Sequence, residues 1–351
     1  MGYIVRAFQK IIVYLGNMKI YTISVVIATY NSEKTIAKCL QSVRDQNYPQ
    51  GKIDIILADG NSHDNTIAIA KKYNVTILTI DPKKQNAEYN KGAGVRSAKG
   101  ELLLLIDHDN VLPHREWISK MAKPLLDDQQ IVGVETLRYH YDPKASLLDR
   151  YFALFGAGDP LAFYLGKADR LSFMYDAYNL IGSARDVGDY YIVTFDPKHI
   201  PTLGANGFLI RRSILVQNAQ VDEDHFFHID VNVDLIKKGY NMYAFIKDDI
   251  IHLTGYKNIA SFLYRRKLFM EQFYYQTKTK RRYSVYMSDD MKNLIKFILF
   301  AATFIKPTFD AVRGYVKIHD IAWFLHPFLC FTLLLIYGYT MVKQAILNYA
   351  R

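Results

Sequence analysis

Cysteine is nearly absent from this chain of 351 residues, which contains only Cys39 and Cys330. The two lie far apart and in unlike settings, which argues against a disulfide scaffold and against a zinc site built from thiolates. Internal repeats and low-complexity tracts are also missing. Half of the residues are hydrophobic, so the chain can form one large α/β domain with a smaller appendage.

Short apolar runs alternate with helical patterns through the first third of the chain. The runs that predict β-strands are residues 23–28, 53–58, 75–80 and 102–106. Between the first two runs, Ile36, Leu40 and Val43 recur at helical spacing. This alternation predicts an α/β fold in which a mostly parallel sheet is flanked by helices. In such a sheet, ligands bind beyond the carboxyl ends of the strands.

Asp107-His108-Asp109 follows the last of these apolar runs. Asp107 and Asp109 would point to the same side if the strand geometry continued, because side chains alternate along a strand. Carboxylates without thiolates favour a hard cation such as Mg²⁺ or Mn²⁺, and Mg²⁺ commonly also binds substrate phosphates. We therefore expect a divalent cation that holds a diphosphate, with an ordinary acidic turn as the alternative.

Two other strand ends carry polar motifs, Thr29-Tyr30-Asn31 and Asp59-Gly60-Asn61-Ser62. Together with Asp107-His108-Asp109, they resemble the family 2 glycosyltransferases of GT-A fold, and the resemblance extends over residues 23–256. It implies that the base and ribose of a nucleotide-sugar donor are held by Thr29, Tyr30, Asn31 and Asp59. It also implies that Asp107 lies at the ribose and the metal, and that Asp109 binds the metal directly. A helix-capping or turn role is the alternative for Asp59.

The resemblance continues in the second half of the domain. Gly204-Ala205-Asn206-Gly207 is similar to the family's glycine loop. Gly204 and Asn206 would lie close to the donor sugar, because missing side chains let substrates approach the backbone. His252 stands where this fold often supplies a histidine to the metal, with a satisfied polar residue at a strand end as the alternative.

The resemblance places the catalytic base at the start of the helix that follows the glycine loop. In the family a Glu-Asp pair opens this helix, and its aspartate removes the acceptor proton. Here the pair reads Ile229-Asp230, so the glutamate is missing. We assign the base to Asp230 and keep Asp224 as its rival. A carboxylate suits the role because displacement at an anomeric carbon needs a nucleophilic acceptor oxygen opposite the leaving diphosphate.

Two further departures from the family bear on the function. Asn90 is expected to contact the donor, but Tyr89 precedes it where the family often has an arginine. The candidates to replace that arginine are Lys84, Gln85 and Arg96. The Gln-x-x-Arg-Trp element of the family's processive polysaccharide synthases is absent, which favours a single sugar transfer.

Positive charge is concentrated in one segment. The net charge is +10, and residues 256–317 contain 13 Lys and Arg against 4 Asp and Glu. Aromatic residues such as Phe262 and Tyr264 are interleaved with these charges. The pattern predicts helices that lie on an anionic membrane surface, with a solvated charged face as one alternative. A nucleic-acid-binding surface is the other, and the adjacent hydrophobic run argues against it.

That hydrophobic run covers residues 321–342, which include no Lys, Arg, Asp or Glu. Its 22 residues suffice to cross a membrane. Trp323 would then lie near an interface, and His326-Pro327 suggests a kink. We expect one transmembrane helix with the catalytic domain on the cytoplasmic face, and a buried C-terminal helix is the alternative.

The expected divisions are an N-terminal, possibly amphipathic extension (1–22), the GT-A catalytic domain (23–255), interfacial helices (256–318), and the transmembrane helix with a short tail (319–351).

The expected function is that of an inverting, metal-dependent glycosyltransferase. It would move one sugar from a nucleotide-sugar donor to a membrane-held acceptor such as polyprenyl phosphate or a lipid-linked saccharide. Its expected cofactor is Mg²⁺ or Mn²⁺, and membrane lipids but no nucleic acid are expected as further partners. Two alternatives remain. One is a catalytically inactive, membrane-tethered protein that binds nucleotide sugars or acts as a scaffold, and the other is a glycosyltransferase that acts on a surface polysaccharide.

Overall fold

The computed structural model describes residues 19–199, 201–271, 281–283 and 290–349. Most of the predicted N-terminal extension and part of the basic segment therefore lie outside the described residues. The strands are β1 (Ile23–Thr29), β2 (Ile53–Asp59), β3 (Thr76–Thr79), β4 (Leu102–Asp107), β5 (Asn110–Val111), β6 (Gly133–Tyr139), β7 (Ser183–Asp186), β8 (Tyr190–Thr194), β9 (Phe208–Arg211) and β10 (Met242–His252). The helices are α1 (Ile36–Arg44), α2 (Thr66–Ala70), α3 (Ala87–Ser97), α4 (Trp117–Asp127), α5 (Leu147–Phe155), α6 (Pro160–Tyr164), α7 (Arg212–Asn218), α8 (His228–Lys237), α9 (Ile259–Phe269), α10 (Met291–Thr303), α11 (Ile305–Lys317) and α12 (Leu325–Tyr349).

The strands form one mixed sheet in the order β3-β2-β1-β4-β9-β6-β10-β8-β7, and β5 pairs with β10. Strands β1 to β4 are parallel, and β6 and β10 run in the same direction as they do. Strand β9 runs the opposite way between β4 and β6. The predicted α/β class with a mostly parallel sheet is therefore confirmed.

Hydrophobic side chains cover both faces of the sheet. All seven residues of β1 are buried, as expected for a parallel strand between two layers of helices. Val25 and Ile27 belong to one hydrophobic cluster, and Val26 belongs to the cluster on the opposite face. Because β1 is parallel to both β2 and β4, with Thr29 opposite Asp59 and Ala28 opposite Asp107, the carboxyl ends of the three strands lie at one edge of the sheet.

The C-terminal helices pack against the catalytic half of the chain. Tyr151 and Phe155 of α5 share a cluster with side chains from α9, α11 and α12. The last strand of the sheet ends at His252 and α9 begins at Ile259, on either side of the predicted boundary after residue 255. The expected division of the chain at this point stays a prediction.

Helix α12 continues the short turn Ile321–Phe324. Residues Ile321–Leu347 form a helix long and apolar enough to cross a membrane. Trp323 is fully buried against Phe155, with ring centroids 4.8 Å apart, so its expected place at a membrane interface is wrong. Pro327 is the third residue of α12, which continues to Tyr349, and the kink suggested by His326-Pro327 stays a prediction.

Candidate functional site

The ends of β1 and β2 are joined by side-chain hydrogen bonds. The Thr29 hydroxyl donates to one carboxylate oxygen of Asp59 at 3.0 Å. The backbone N–H of Ser62 donates to the other oxygen at 2.8 Å. Asp59 is almost fully buried and holds the loop after β2 in place, so part of its role is the predicted turn stabilisation.

Asn31 and Tyr30 differ in their surroundings. Asn31 has a φ of +49°, a conformation that asparagine adopts more readily than most residues. Its side-chain oxygen accepts a hydrogen bond from the backbone of His63 at 2.9 Å, which ties the loop after β1 to the loop after β2. Tyr30 is 44% exposed at the same edge, so it is accessible to a ligand.

Asp107 lies at the end of β4 and pairs with a lysine that the sequence did not single out. One Asp107 oxygen is 2.8 Å from Lys91 Nζ. Burial opposes the charge on Lys91, but the carboxylates of Asp107 and Glu88 outweigh it and raise the pKa of Lys91. The backbone N–H of Asp107 donates to Asn110 at 2.8 Å. Asp107 was expected to bind the metal, but in this arrangement the Lys91 ammonium occupies its carboxylate.

Asp109 and His252 lie together as expected. Asp109 Oδ2 is 3.6 Å from His252 Nε2, and the backbone oxygen of Asp109 accepts a hydrogen bond from Leu253. Burial opposes ionisation, but the charge and hydrogen bond of His252 lower the pKa of Asp109. Asp109 Oδ1 is buried and has no hydrogen-bond partner. Such an oxygen suits a cation ligand.

The predicted three-ligand metal site is only partly assembled. Among the described residues, no group of three or more His, Cys, Asp or Glu side chains is arranged to hold a metal ion. Asp109 and His252 remain as a pair, and Asp107 is held by Lys91. A pair still fits Mg²⁺ or Mn²⁺, because Mg²⁺ commonly takes one or two protein carboxylates and completes its shell with water and substrate phosphates.

The glycine loop lies beside the end of β4, the strand that carries Asp107. The backbone N–H of Gly207 donates to Leu105 of β4 at 3.0 Å. Asn206 has a φ of +57°, and its side-chain oxygen accepts a hydrogen bond from Asn110 at 3.1 Å. Gly204 has a φ of +104°, which only glycine adopts without strain. The loop therefore faces the same sheet edge as the Asp107 motif.

A buried ion pair forms hydrogen bonds with the backbone of the glycine loop. Arg170 and Glu135 are each about 1% exposed and lie 2.8 Å apart. Arg170 also donates to the backbone oxygens of Ala205 and Asn206, and Glu135 accepts the N–H of Gly204. No local pattern in the sequence marked Glu135 and Arg170, because they are 35 residues apart and meet only in the folded chain.

Asn90 lies on α3 next to the end of β1. Its side-chain nitrogen is 3.4 Å from the backbone oxygen of Thr29, and its side-chain oxygen is buried without a hydrogen-bond partner. A buried polar atom without a partner is costly unless a ligand satisfies it. The position therefore fits the predicted contact with a donor.

The two aspartates predicted as the base have unlike surroundings. Asp230 lies in the first turn of α8, as expected, but its side chain is fully buried. One of its oxygens pairs with Arg281 at 2.7 Å, and the other accepts the backbone N–H of Arg282 at 2.9 Å. Asp224 is exposed on the surface. Asp230 therefore has no free oxygen for an acceptor in this arrangement, and its assignment as the base stays a prediction.

Comparisons with known proteins place part of this chain among the glycosyltransferases. A family model described as Glycosyl transferase family 2 matches residues 24–174. Glycosyltransferase AglE from Haloferax volcanii is 32% identical over 103 residues, which are 28% of this chain and 33% of that protein. A Methanococcus voltae protein named dolichyl N-acetyl-alpha-D-glucosaminyl phosphate 3-beta-D-2,3-diacetamido-2,3-dideoxy-beta-D-glucuronosyltransferase is 33% identical over 90 residues, 24% of this chain and 27% of its own.

Two other comparisons reach more distant proteins. Poly(ribitol-phosphate) beta-N-acetylglucosaminyltransferase TarS of Staphylococcus aureus is 29% identical over 93 residues, which are 25% of this chain and 16% of that protein. The chain thus matches a third or less of the length of these relatives. Among solved structures, mannosyltransferase PcManGT from Pyrobaculum calidifontis, in complex with GDP-Man and Mn²⁺, has a TM-score of 0.49 at 13% identity, and 93% of this chain and 87% of that chain are covered.

Proposed function

Because residues 24–174 form a family 2 glycosyltransferase domain, we propose that this chain transfers one sugar from a nucleotide-sugar donor to an acceptor held at a membrane. The observation that carries the proposal is the meeting of Asp59, Asp107 and the Asp109–His252 pair at one sheet edge. The glycine loop lies beside them, where the Asn206 side chain accepts a hydrogen bond from Asn110.

The donor is proposed to lie over the ends of β1, β2 and β4. Exposed Tyr30 is available to stack on the nucleotide base, and Asp59 and Asn90 line the same edge. The unpartnered side-chain oxygen of Asn90 would accept a hydrogen bond from a donor hydroxyl. Lys91 provides a buried positive charge next to Asp107, where the diphosphate of the donor would lie.

We assign a divalent cation, Mg²⁺ or Mn²⁺, to Asp109 and His252. The unpartnered Asp109 oxygen supports this assignment. When bound, the cation would stabilise the charge that develops on the leaving diphosphate. Asp107 would lie next to the cation and hold the Lys91 ammonium at the donor site.

The transfer is proposed to invert the anomeric centre by direct displacement. In this reaction the acceptor oxygen attacks from the face opposite the leaving diphosphate, so a proton acceptor is needed on that side. Asp230 and Asp224 are the carboxylates predicted for that role, and substitution by asparagine tests each of them. Gly204 packs against α8, where an added Cβ atom would lie 2.9 Å from the backbone oxygen of His228, so the glycine loop adjoins the start of that helix.

The acceptor is proposed to be lipid-linked. The name of the Methanococcus voltae relative describes a dolichyl-phosphate-linked sugar acceptor, which supports this class. The name of the Staphylococcus aureus relative describes a poly(ribitol-phosphate) acceptor, so a cell-surface polymer is the second candidate. Polyprenyl phosphate and lipid-linked saccharides are the first acceptors to test.

The C-terminal helices are proposed to attach the enzyme to the membrane, with the catalytic domain on the cytoplasmic face. Several large apolar side chains of these helices are exposed, among them Ile298 and Leu299 of α10, Phe309 and Val312 of α11, and Phe328 and Val342 of α12. Lysines such as Lys292 and Lys296 adjoin this surface in sequence and would attract anionic headgroups. Side chains of α11 and α12 pack with α5 in one hydrophobic cluster, which supports contact of these helices with the membrane as a unit. The crossing of the membrane by α12 stays a prediction.

The proposed function is tested by a screen of nucleotide sugars against extracted membrane lipids, with the product identified by its mass. We expect one donor to yield a lipid product that carries one added sugar. The alternative, an inactive scaffold that binds nucleotide sugars, predicts binding of a donor without either transfer or hydrolysis. Failure of the purified enzyme with every donor would contradict the proposed function.

A further inference from the structure

Helices α3 and α8 are joined by a carboxylate–histidine pair. Glu88 lies in the first turn of α3, and His228 is the first residue of α8. One Glu88 oxygen is 2.7 Å from His228 Nδ1, and the other accepts the backbone N–H of His228 at 3.0 Å. An ionised carboxylate only accepts hydrogen bonds, so Nδ1 carries a proton, and Nε2 presents a lone pair when the ring is neutral.

Glu88 is held in its ionised form. Its burial opposes ionisation, but the positive charge that His228 carries when it is protonated, and its hydrogen bond, lower the pKa of Glu88 to about 2. Lys91, one helical turn further along α3, adds to this effect. The carboxylate therefore remains an acceptor near neutral pH and fixes both the tautomer and the orientation of the imidazole.

The pair lies between the two halves of the site. A Cβ atom added to Gly204 would lie 3.2 Å from His228 Cβ, so the histidine adjoins the glycine loop. Lys91 on the same face of α3 contacts Asp107, so the helix that holds His228 also reaches the end of β4. The charged groups that act on His228 are Glu88 from α3, Glu135 from β6, and Asp169 from the segment before β7.

The surroundings of His228 differ from those of Asp230 two residues later. The His228 side chain is 24% exposed, and the hydrogen bonds within the described residues leave its Nε2 without a partner. The Asp230 side chain is 0% exposed, and both of its oxygens bind the segment that contains Arg281. An acceptor can therefore reach the imidazole without displacing an ion pair.

We propose that His228 Nε2 is the catalytic base of the transfer and that Glu88 is its positioning residue. The inference rests on the proposed function and specifies the acceptor atom as a hydroxyl oxygen. The acceptor O–H proton passes to Nε2 while the oxygen forms a bond to the anomeric carbon. The bond between that carbon and the diphosphate oxygen breaks, and its electron pair leaves with the nucleoside diphosphate. The imidazolium then releases its proton to solvent.

The test uses His228→Asn, because an asparagine amide can still donate to Glu88 but offers no basic nitrogen. We expect the kcat for transfer to fall by about 100-fold or more, the usual effect of losing a general base. The dissociation constant of the donor should stay within about twofold, because the base acts only in the chemical step. Imidazole added to His228→Ala should restore part of the activity. Glu88→Gln should lower kcat by about tenfold, since a misoriented base is a weaker one.

The pH profile separates a catalytic role from a structural one. With a hydroxyl acceptor, the wild-type rate should fall toward low pH, because a protonated imidazole cannot accept another proton. In His228→Ala that dependence on pH should disappear. The matched control is His225→Ala. His225 also pairs with a carboxylate, Asp222 at 2.5 Å, but it is about half exposed, so its loss should leave kcat and the pH profile unchanged.

Two results would overturn the inference while leaving the proposed function intact. One is transfer by His228→Asn within about threefold of an active wild-type enzyme, on the scale of general-base effects. The other is a loss of activity in His228→Ala that added imidazole does not restore, with a residual activity that has the same pH profile as the wild type. Absence of transfer by the wild-type enzyme with every donor would instead contradict the proposed function.

Discussion

The ammonium of Lys91 lies 2.8 Å from a carboxylate oxygen of Asp107, although only 4% of the Lys91 side chain is exposed. A buried lysine retains its charge only when a partner compensates for the lost hydration. Asp107 provides that compensation at the strand end, where the donor is proposed to bind. The pair therefore holds α3 against the end of β4, at the proposed donor site.

Lys91→Met is predicted to destabilise the fold and weaken donor binding. Removing one partner of a buried ion pair costs about 3–5 kcal/mol, and the lower end applies because a quarter of the Asp107 side chain is exposed. Denaturant unfolding and donor titration measure the two effects. The matched control is Lys19→Met, because Lys19 and Glu101 form an exposed pair worth less than about 1 kcal/mol. Equal effects of the two substitutions would contradict the role of Lys91.

The Asp230–Arg281 pair is predicted to be structural. Asp230→Asn and Arg281→Met should then each lower the free energy of unfolding, and the double variant should lose less than the sum of the two, because both changes break the same ion pair. Donor binding should be retained in each variant. A base at Asp230 predicts a different result, in which Asp230→Asn abolishes transfer while Arg281→Met frees the carboxylate and retains it. The same kinetic test with Asp224→Asn examines the exposed rival.

The exposed apolar side of α10 and α11 is predicted to contact lipid. Replacing Ile298 and Phe309 by glutamate should reduce recovery of the protein with anionic vesicles in flotation, because each charge would have to enter the interface. The control is Val216→Glu on α7, which changes an exposed apolar residue of the catalytic half. Unchanged flotation of the Ile298 and Phe309 variant would exclude this surface as the membrane contact.

The fold and the sheet edge of the site could be predicted from the sequence because their signals are local. The runs that form β1, β2 and β4 are apolar and end in Thr29, Asp59 and Asp107, so the sequence predicts both the strands and the polar residues at their ends. The family resemblance was carried by these same strand ends, and the family match confirms it. The glycine loop was also recognised from the family resemblance, and the φ of +104° at Gly204 is one that glycine adopts without strain.

The rest depends on contacts between remote segments. Glu88 and His228 are 140 residues apart, and neither lies in a motif that reports the other. The family resemblance assigned the base to Asp230, but in the structure Arg281, 51 residues later, pairs with its carboxylate. Trp323 was expected at a membrane interface because it is a tryptophan near the end of a hydrophobic run. Only the packing of α12 on α5 shows that it is buried. Local periodicity carries no information on such pairings.

The central claim is that sugar transfer depends on a cation held at Asp109. The most direct measurement is the rate of formation of the mass-identified product by wild type and Asp109→Ala, with Mg²⁺ or Mn²⁺ and with excess chelator. Asp189→Ala is the control, because that aspartate is largely exposed and far from the sheet edge in sequence. We predict product from wild type and the control only when the cation is present, and a loss of about 100-fold or more in Asp109→Ala. Full turnover by Asp109→Ala, or an unchanged wild-type rate in chelator, would contradict the account.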